Sequence, residues 1–352
     1  MPLLARMLLS PLFIDIRAGA VSGLGDLLAD RRISADGHVA VAVGPGQGEA
    51  LMADIGPNLA NADVFTVRGG SLEAAGDLQA ELRGKNYDAL VGIGGGRTLD
   101  VAKYAATRLA LPMVAVATNL AHDGIASPVS SLLHEGGKGS FGVGLPIAVV
   151  VDLDYVRASP PRMVRSGIGD LISDLTAIED WWLAHEERGE PIDGLAVTFA
   201  RTAAESVLHR TDGIESDGFL TSLAEGLVLS GMAMAAAGSS RPGSGADHEI
   251  MHAIDSLFPG TANHGELAGV GALFSAFLRE NATLAAQLDT CLRRHELPRL
   301  PVDLGLSDEQ FAEAVSFAPQ TRPDRYTILE HLDLDAASVR KQVGAFVEAY
   351  GG

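Results

Sequence analysis

The chain has 352 residues, of which 47% are hydrophobic and 20% are charged, and its formal net charge is −19. This length is enough to bury a large core in one or two domains. The negative charge argues against a nucleic-acid partner or an anionic membrane surface, and a single cysteine, Cys291, excludes an internal disulfide.

The first residues contain a short apolar stretch with an arginine on either side, as in a signal peptide. They lack a small-residue cleavage site, so the run "LFIDI" is better explained as a first strand. No uninterrupted apolar run reaches the roughly 20 residues that span a bilayer. We therefore expect a cytoplasmic protein without membrane insertion.

Strand and helix patterns then alternate through the first part of the chain. Apolar runs that predict strands are "HVAVAVG", "ADVFTVRGG", "YDALVGIGGG", "PMVAVAT" and "PIAVVVDLDYV". Helical patterns between them are "PGQGEALMADI", "LEAAGDLQAELRG" and "RTLDVAKYAATRLA". Such alternation predicts a parallel sheet covered by helices on both faces. Residues 1–158 are thus predicted to form an α/β dinucleotide-binding domain.

Two polar or glycine-rich segments of this half are candidates for ligand binding. Gly94, Gly95 and Gly96 follow a buried strand and open a helix, where bare backbone N–H groups can meet a phosphate. The alternative is a tight turn without a ligand. The run "TNLAHDGIAS" follows the next strand, at the edge where α/β sheets bind ligands, although Thr118 and Asn119 could simply cap a helix.

After Ser159 the strand signals stop, and long Ala/Leu-rich periodic segments predict an all-helical domain over residues 159–352. A cleft between the two domains is the expected place for a site. In "SGIGDLISDLTAIEDW", Asp170 and Asp174 are predicted in the first turns of a helix, where an aspartate is often only a stabilising cap.

The segment "HEIMH" matches the pattern of zinc proteases, with His248 and His252 four residues apart around Glu249. A metzincin would need Gly at position 255 and His at 258, where the chain has Asp255 and Phe258. The chain also lacks a secretory signal. We therefore interpret the match as coincidence, and expect a different metal site that includes His264, at the start of the next helix.

Taken together, the order and spacing of these blocks resemble the sn-glycerol-1-phosphate dehydrogenases. This family is related to glycerol dehydrogenase, to the iron-containing alcohol dehydrogenases and, more distantly, to 3-dehydroquinate synthase. The blocks are "GIGGGRTLDVAK", "ATNLAHDGIASPVS", "SGIGDLISDLTAIEDW", "GSSRPGSGADHEIMHAID", "HGELAGVG" and "RPDRYTILE". The resemblance implies a nicotinamide-binding α/β domain with a parallel sheet, an all-helical domain, one zinc ion and a homo-oligomer.

Carried over by position, the resemblance implies that Asp170, His248 and His264 bind the metal. His252 would face the substrate instead, together with Asp123 and Asp170. The residues implied along the dinucleotide are Gly95, Gly96, Arg97, Thr98, Asp100, Thr118, Asn119, Ala121 and Ser127. The chain departs from the family pattern in "TNLAHDG", and after about residue 280 it matches only loosely apart from "RYTILE".

The implied reaction is reversible hydride transfer between NAD(P)H and dihydroxyacetone phosphate, giving sn-glycerol 1-phosphate. Zinc would polarise the ketone, Asp123 would orient the substrate hydroxyl, and His252 or a water on the metal would supply the proton. Arg241, in "GSSRPGSG", is the candidate for binding the phosphate; it could equally be a surface arginine of a connecting loop.

Three alternatives stay open at this point. One is a related dehydrogenase that acts on another small phosphorylated, phosphonate or polyol carbonyl; another is a cyclase like dehydroquinate synthase; the third is a non-catalytic zinc scaffold. An Asp-His-His set also accepts Fe²⁺ or Ni²⁺. The run "VGPGQG" lacks the acidic residue that usually binds the adenine ribose, so NADH and NADPH are both possible.

Overall fold

The predicted apolar strands form a parallel sheet in the first part of the chain. The structure is a computed structural model that describes residues 8–34, 37–59, 61–135 and 137–351. Its strands are β1 Phe13–Arg17, β2 Val39–Val43, β3 Ala62–Thr66, β4 Ala89–Gly94, β5 Met113–Ala117, β6 Val129–His134, β7 Gly137–Gly142 and β8 Ala148–Asp152. Six of them pair in the order β1-β8-β5-β4-β2-β3, and every pairing in this sheet is parallel.

Burial explains why these runs are apolar throughout. Every residue of β2, β4, β5 and β8 is buried, as expected for strands that are covered on both faces. The helices of this part are α1 Leu24–Leu28, α2 Gln47–Ile55, α3 Leu72–Leu82, α4 Gly96–Leu109 and α5 Leu153–Ala158. The predicted α/β architecture is confirmed.

Two details of this part differ from the sequence-based expectation. The run "PIAVVVDLDYV" is strand only as far as Asp152, whose carboxylate accepts a hydrogen bond from the Asp154 N–H and so caps α5. The antiparallel hairpin of β6 and β7 was not predicted at all. Its strands are rich in glycine and serine and bury few side chains, so they lack the apolar runs that mark the other strands.

The rest of the chain is helical, as predicted. Its helices are α6 Pro161–Arg188, α7 Gly194–Leu208, α8 Asp217–Ala237, α9 Ala246–Leu257, α10 His264–Leu278, α11 Ala282–Arg294, α12 Asp308–Phe317, α13 Ile328–Leu332 and α14 Ala336–Tyr350. One compact unit contains the described residues up to Leu120 with Gly124–Pro160, and the other contains Ala121–Asp123 with the described residues from Pro161 onward.

Among the described residues, α8 is long and apolar enough to cross a membrane by length and composition. Its most apolar window is 61% buried within the protein, and a core helix of a soluble protein passes the same test. Phe219, Leu223 and Leu227 of this helix are fully buried. Its apolar character is therefore accounted for by packing inside the helical unit.

Glycines allow α6 and α10 to pack with their backbones in contact. A Cβ added at Gly265 would overlap the carbonyl oxygen of Ser166, and one added at Gly169 would overlap the carbonyl oxygen of Gly265. The Gly265 N–H also donates a hydrogen bond of 3.0 Å to the Ser166 hydroxyl. The first turn of α10 is therefore fixed against the N-terminal half of α6, next to Asp170.

Candidate active site

Asp170, His248 and His264 converge in the helical unit. His264 Nε2 lies 3.0 Å from Asp170 Oδ1 and 3.2 Å from His248 Nε2, and His248 Nε2 lies 3.7 Å from Asp170 Oδ1. One ligand atom from each residue lies within 4.8 Å of those of the other two. One carboxylate and two imidazoles form a donor set that suits zinc and related divalent cations, and three protein ligands leave a coordination position for substrate. The three residues thus fit a catalytic metal ion.

Two of these candidate ligands, Asp170 and His264, occupy different positions in their helices. Asp170 was expected in the first turns of a helix, but α6 begins nine residues earlier at Pro161, so the capping explanation for Asp170 does not apply. His264 is the first residue of α10, as predicted, after an N-cap at Asn263. Glu266 completes a capping box with Asn263 and also pairs with Arg162, which stabilises the turn that carries His264.

Asp247 orients the third candidate ligand, His248. Its carboxylate lies 2.5 Å from His248 Nδ1 and accepts a hydrogen bond from Thr176, so Nδ1 carries a proton and Nε2 is the nitrogen left to bind a cation. Burial lowers the pKa of His248, but hydrogen bonds to Asp170 and Asp247 outweigh burial and raise the pKa to about 9. A cation must displace a proton from this ring, so cation affinity should rise with pH.

Replacing Asp247 with asparagine should weaken metal binding about 10- to 100-fold, because the carboxylate that holds the His248 ring would be lost. Titration of the zinc-loaded protein with a competing chelator measures the change. Asp289→Asn is the matched control. Asp289 pairs with Arg293 of α11 and with Arg299, and with none of the three candidate ligands. Equal zinc affinity in Asp247→Asn and wild-type protein would show that Asp247 does not position His248.

Asp123 lies beside the ligand set. Its backbone N–H donates a hydrogen bond of 2.9 Å to Asp170 Oδ2, and its carboxylate accepts one from the Ser230 hydroxyl. Burial alone would raise the pKa of Asp170, yet His264 and His248 hold that pKa well below its usual range, so Asp170 is ionised. Burial, together with the charges of Asp123 and Asp170, raises the pKa of Asp174 well above its ordinary value. This concentration of carboxyl groups suits a site that holds a cation.

His252 and Glu249 do not belong to the ligand set. The Arg322 guanidinium donates a hydrogen bond of 2.9 Å to His252 Nε2, and the rings of His252 and His248 are 6.4 Å apart. Glu249 is buried and accepts a hydrogen bond from the Thr327 hydroxyl. Burial and the nearby Glu330 raise the pKa of Glu249 to about 9, so it is protonated at neutral pH. This arrangement is unlike the zinc protease geometry, in which both histidines bind the metal and the glutamate acts as a base.

Arg241, the predicted phosphate ligand, is engaged elsewhere in the structure. It is buried, its Nε and Nη2 atoms pair with both carboxylate oxygens of Glu190, and its Nη1 donates to the carbonyl oxygen of Tyr326. All three guanidinium nitrogens thus have protein acceptors. The alternative of an exposed loop arginine does not fit the structure, because the side chain is 5% exposed.

The predicted cofactor residues lie around the turn between β4 and α4. Gly95 is the N-cap of α4, and a Cβ on it would come within 2.5 Å of the Asn119 amide nitrogen. A Cβ on Gly94 would meet Thr98 at 2.9 Å. Gly95 therefore lets the segment after β5 approach closely, and Gly94 leaves room for Thr98 of α4. The turn exposes N–H groups at the start of a helix of 14 residues.

The other predicted cofactor residues have varied surroundings. Buried Asp100 pairs with Lys103 at 3.1 Å, and Lys103 also donates to the carbonyl oxygen of Ser127, which ties α4 to the segment before β6. Thr118 is buried and its N–H donates to the carbonyl oxygen of Gly94. Two residues differ from these: Arg97 is exposed and packs against Gly70, and Ala121 is grouped with the helical unit.

Sequence reasoning missed two groups of residues at this site. Asp247 immediately precedes a ligand histidine, and a carboxylate beside such a histidine could have been recognised as its orienting partner. Arg322 and Arg325 stand in the recognised block "RPDRYTILE", but neither was singled out. Nothing in the local pattern indicates that this segment contacts His252.

Comparisons with known proteins show which family this chain resembles. The iron-containing alcohol dehydrogenase family matches residues 15–160. Glycerol-1-phosphate dehydrogenase [NAD(P)+] of Hyperthermus butylicus is 37% identical over 91% of this chain and 92% of its own length. The enzyme of the same name from Methanosarcina mazei is 33% identical over 95% of this chain and 94% of its own length.

The fold has solved counterparts as well. A probable glycerol dehydrogenase from Sinorhizobium meliloti superposes with a TM-score of 0.77 at 21% identity, covering 98% of this chain and 99% of the other. Sulfoacetaldehyde reductase from Bifidobacterium kashiwanohense, solved with NAD+, gives 0.73 at 17% identity, covering 97% and 98%. The resemblance predicted from the sequence blocks is thus confirmed, and the chain belongs to the glycerol-1-phosphate dehydrogenase family.

Proposed function

We propose that the chain is a metal-dependent NAD(P)H oxidoreductase that interconverts dihydroxyacetone phosphate and sn-glycerol 1-phosphate. The observation that carries this proposal is the convergence of Asp170, His248 and His264, with Asp123 directly beside them. The curated relatives that carry this activity in their names match the chain over nine-tenths of its length. We also propose zinc as the metal and a cytoplasmic homo-oligomer as the working form.

In this proposal, residues 1–158 bind the dinucleotide and residues 159–352 hold the metal and the substrate. Gly95, Gly96, Arg97 and Thr98 would line the pyrophosphate of the dinucleotide. The other residues proposed along the dinucleotide are Asp100, Thr118, Asn119, Ala121 and Ser127. Backbone N–H groups at the start of α4 supply the anion-binding part of this site.

The proposed chemistry assigns separate roles to Asp123 and His252. When bound, a divalent cation polarises the carbonyl oxygen and the reduced nicotinamide supplies the hydride. Asp123 accepts a hydrogen bond from the substrate hydroxyl and so fixes the orientation of the ketone. Because Arg322 can only donate, His252 Nε2 is an acceptor, and Nδ1 carries the proton of the neutral ring. His252 is the proposed proton donor to the product alcohol.

The proposal is tested by mixing zinc-loaded protein with NADH or NADPH and a panel of small carbonyl compounds. The panel contains dihydroxyacetone phosphate, unphosphorylated dihydroxyacetone and glyceraldehyde 3-phosphate, and loss of reduced-nicotinamide absorbance is followed. We expect oxidation with dihydroxyacetone phosphate and a product that a stereospecific sn-glycerol-3-phosphate dehydrogenase does not accept. Cofactor binding without oxidation by any ketone would overturn the proposed activity and favour the cyclase or scaffold alternatives.

A further inference from the structure

Two arginines of the segment between α12 and α13 converge on one hydroxyl group. Arg322 Nη1 donates a hydrogen bond of 3.1 Å to Ser240 Oγ, and Arg325 Nη2 donates one of 2.9 Å to the same oxygen. Arg325 also donates to the carbonyl oxygen of Ser244. Ser240 and Ser244 lie in the loop "GSSRPGSG", so these hydrogen bonds join this loop and the arginine segment into one cluster.

These two arginines lack the anionic partner that their neighbour has. Among the residues that the structure describes, neither Arg322 nor Arg325 forms an ion pair with a carboxylate, whereas Arg241 is paired with Glu190 on both oxygens. Both side chains are half-buried. Burial lowers the pKa of Arg325 to about 10, and the positive charges of Arg322 and Arg241 act in the same direction, against the smaller opposing effects of Glu249 and Asp247. Two neighbouring partly buried cations are costly to hold together unless an anion joins them.

The hydroxyl group of Ser240 is suited to the same anion. A serine hydroxyl has two lone pairs and one hydrogen, and the two arginines occupy the lone pairs. In the described part of the chain no acceptor is found for the hydrogen, so it is available to a bound anion. Both Nη atoms of each arginine already donate to protein groups, but each guanidinium keeps its Nε–H and a second N–H on each Nη atom. The cluster therefore offers charged N–H donors and one O–H donor, which phosphate oxygens accept.

The cluster is connected to the proposed catalytic residues through His252. The second fork nitrogen of Arg322 donates to His252 Nε2 at 2.9 Å, and His252 stands one helical turn after the metal ligand His248 on α9. A substrate that reaches from the metal ligands past His252 would bring its far end to the arginines. In a small ketone phosphate that end is the phosphate group.

We propose that Arg322, Arg325 and Ser240 form the phosphate-binding part of the active site and so select phosphorylated ketones. This inference rests on the proposed function, because it identifies the anion with the phosphate of its substrate. Arg241 has a structural role instead, since by binding Glu190 and the Tyr326 carbonyl it holds the two segments that carry the cluster. Arg322 additionally fixes the orientation of His252.

The test uses full-length zinc-loaded protein and two probes. Binding of inorganic phosphate is measured by calorimetry, which does not depend on turnover, and kcat/KM is measured for dihydroxyacetone phosphate and for dihydroxyacetone. Arg325→Gln should weaken phosphate binding and lower kcat/KM for the phosphorylated ketone about 10- to 100-fold. The same variant should have a kcat/KM for dihydroxyacetone within about 3-fold of the wild-type value. Ser240→Ala should give the same pattern with a smaller loss.

Arg322→Gln should differ, because it removes both a phosphate contact and the partner of His252. We expect it to lower kcat/KM for both ketones, with the larger loss for the phosphorylated one. Arg210→Gln is the matched control, since Arg210 pairs with Asp212 after α7. It should change neither phosphate binding nor kcat/KM for either ketone. Arg325→Lys, which keeps the charge but loses the fork, should recover part of the loss. Zinc content and thermal unfolding of each variant identify misfolding.

The outcomes separate this inference from the proposed function. If phosphate binds equally to wild-type protein, Arg325→Gln and Ser240→Ala, the arginine cluster is not the phosphate site, whatever the enzyme reduces. Equal losses of kcat/KM for both ketones in Arg325→Gln would likewise overturn it. If instead the wild-type protein reduces no ketone while its phosphate binding depends on Arg325, the anion site stands and the proposed reaction fails.

Discussion

Replacing His264 with alanine is expected to abolish metal retention and, with it, NAD(P)H oxidation. His264 Nε2 faces both Asp170 and His248, so its removal leaves two ligands where a catalytic ion needs three. Loss of an orienting partner alone costs about 10- to 100-fold in metal affinity, and loss of a ligand should cost more. Metal content after dialysis, measured by mass spectrometry, gives the result directly.

His252→Ala is the informative control for that experiment. His252 lies on the same helix as the ligand His248 but binds Arg322, so its removal should leave the metal content unchanged and lower kcat. Retention of zinc by His264→Ala together with its loss from His252→Ala would reverse the two roles. It would restore the protease-like arrangement, in which His248 and His252 are the paired ligands, and the proposed chemistry would fail.

The order of the strands in the parallel sheet was not predicted, but the six strands themselves were, and the reason is physical. A strand buried on both faces must be apolar at every position, so β2, β4, β5 and β8 are visible as continuous runs. The hairpin of β6 and β7 buries few side chains and gives no such signal. The two strands of this hairpin are joined by backbone hydrogen bonds, which most residue types can form, so the sequence of the strands does not reveal their pairing.

The metal ligands could be proposed from the sequence only through resemblance. Helical periodicity shows which face of α6 or α9 is apolar, but not which helices touch. Asp170 lies beside His264 because Gly169 and Gly265 allow the backbones of α6 and α10 to approach. No local sequence pattern predicts that these two helices pack together. For the same reason no local pattern shows that the arginines of "RPDRYTILE" contact Ser240 and His252, residues 70 to 85 positions earlier in the chain.

Gly265→Ala is expected to be the most damaging change of a single methyl group in the helical unit. The added Cβ would overlap the Ser166 carbonyl oxygen, which is backbone and cannot rotate away, so α10 must move off α6. Such overpacking costs about 1–3 kcal/mol or more of unfolding free energy. Because His264 directly precedes Gly265, the movement should also separate His264 from Asp170 and weaken zinc binding.

Urea unfolding in the presence of a chelator measures the cost in stability, and repetition with zinc measures how much stabilisation by the metal is lost. Gly344→Ala is the matched control, because a Cβ at this position of α14 meets no described atom within 4 Å. Alanine in place of a helical glycine should raise stability there by about 0.5–1 kcal/mol and leave zinc stabilisation intact. Opposite signs at the two glycines would show that close contact between α6 and α10, rather than helix propensity, holds Asp170 and His264 together. Wild-type stability and zinc binding in Gly265→Ala would mean that the ligands are positioned by other contacts.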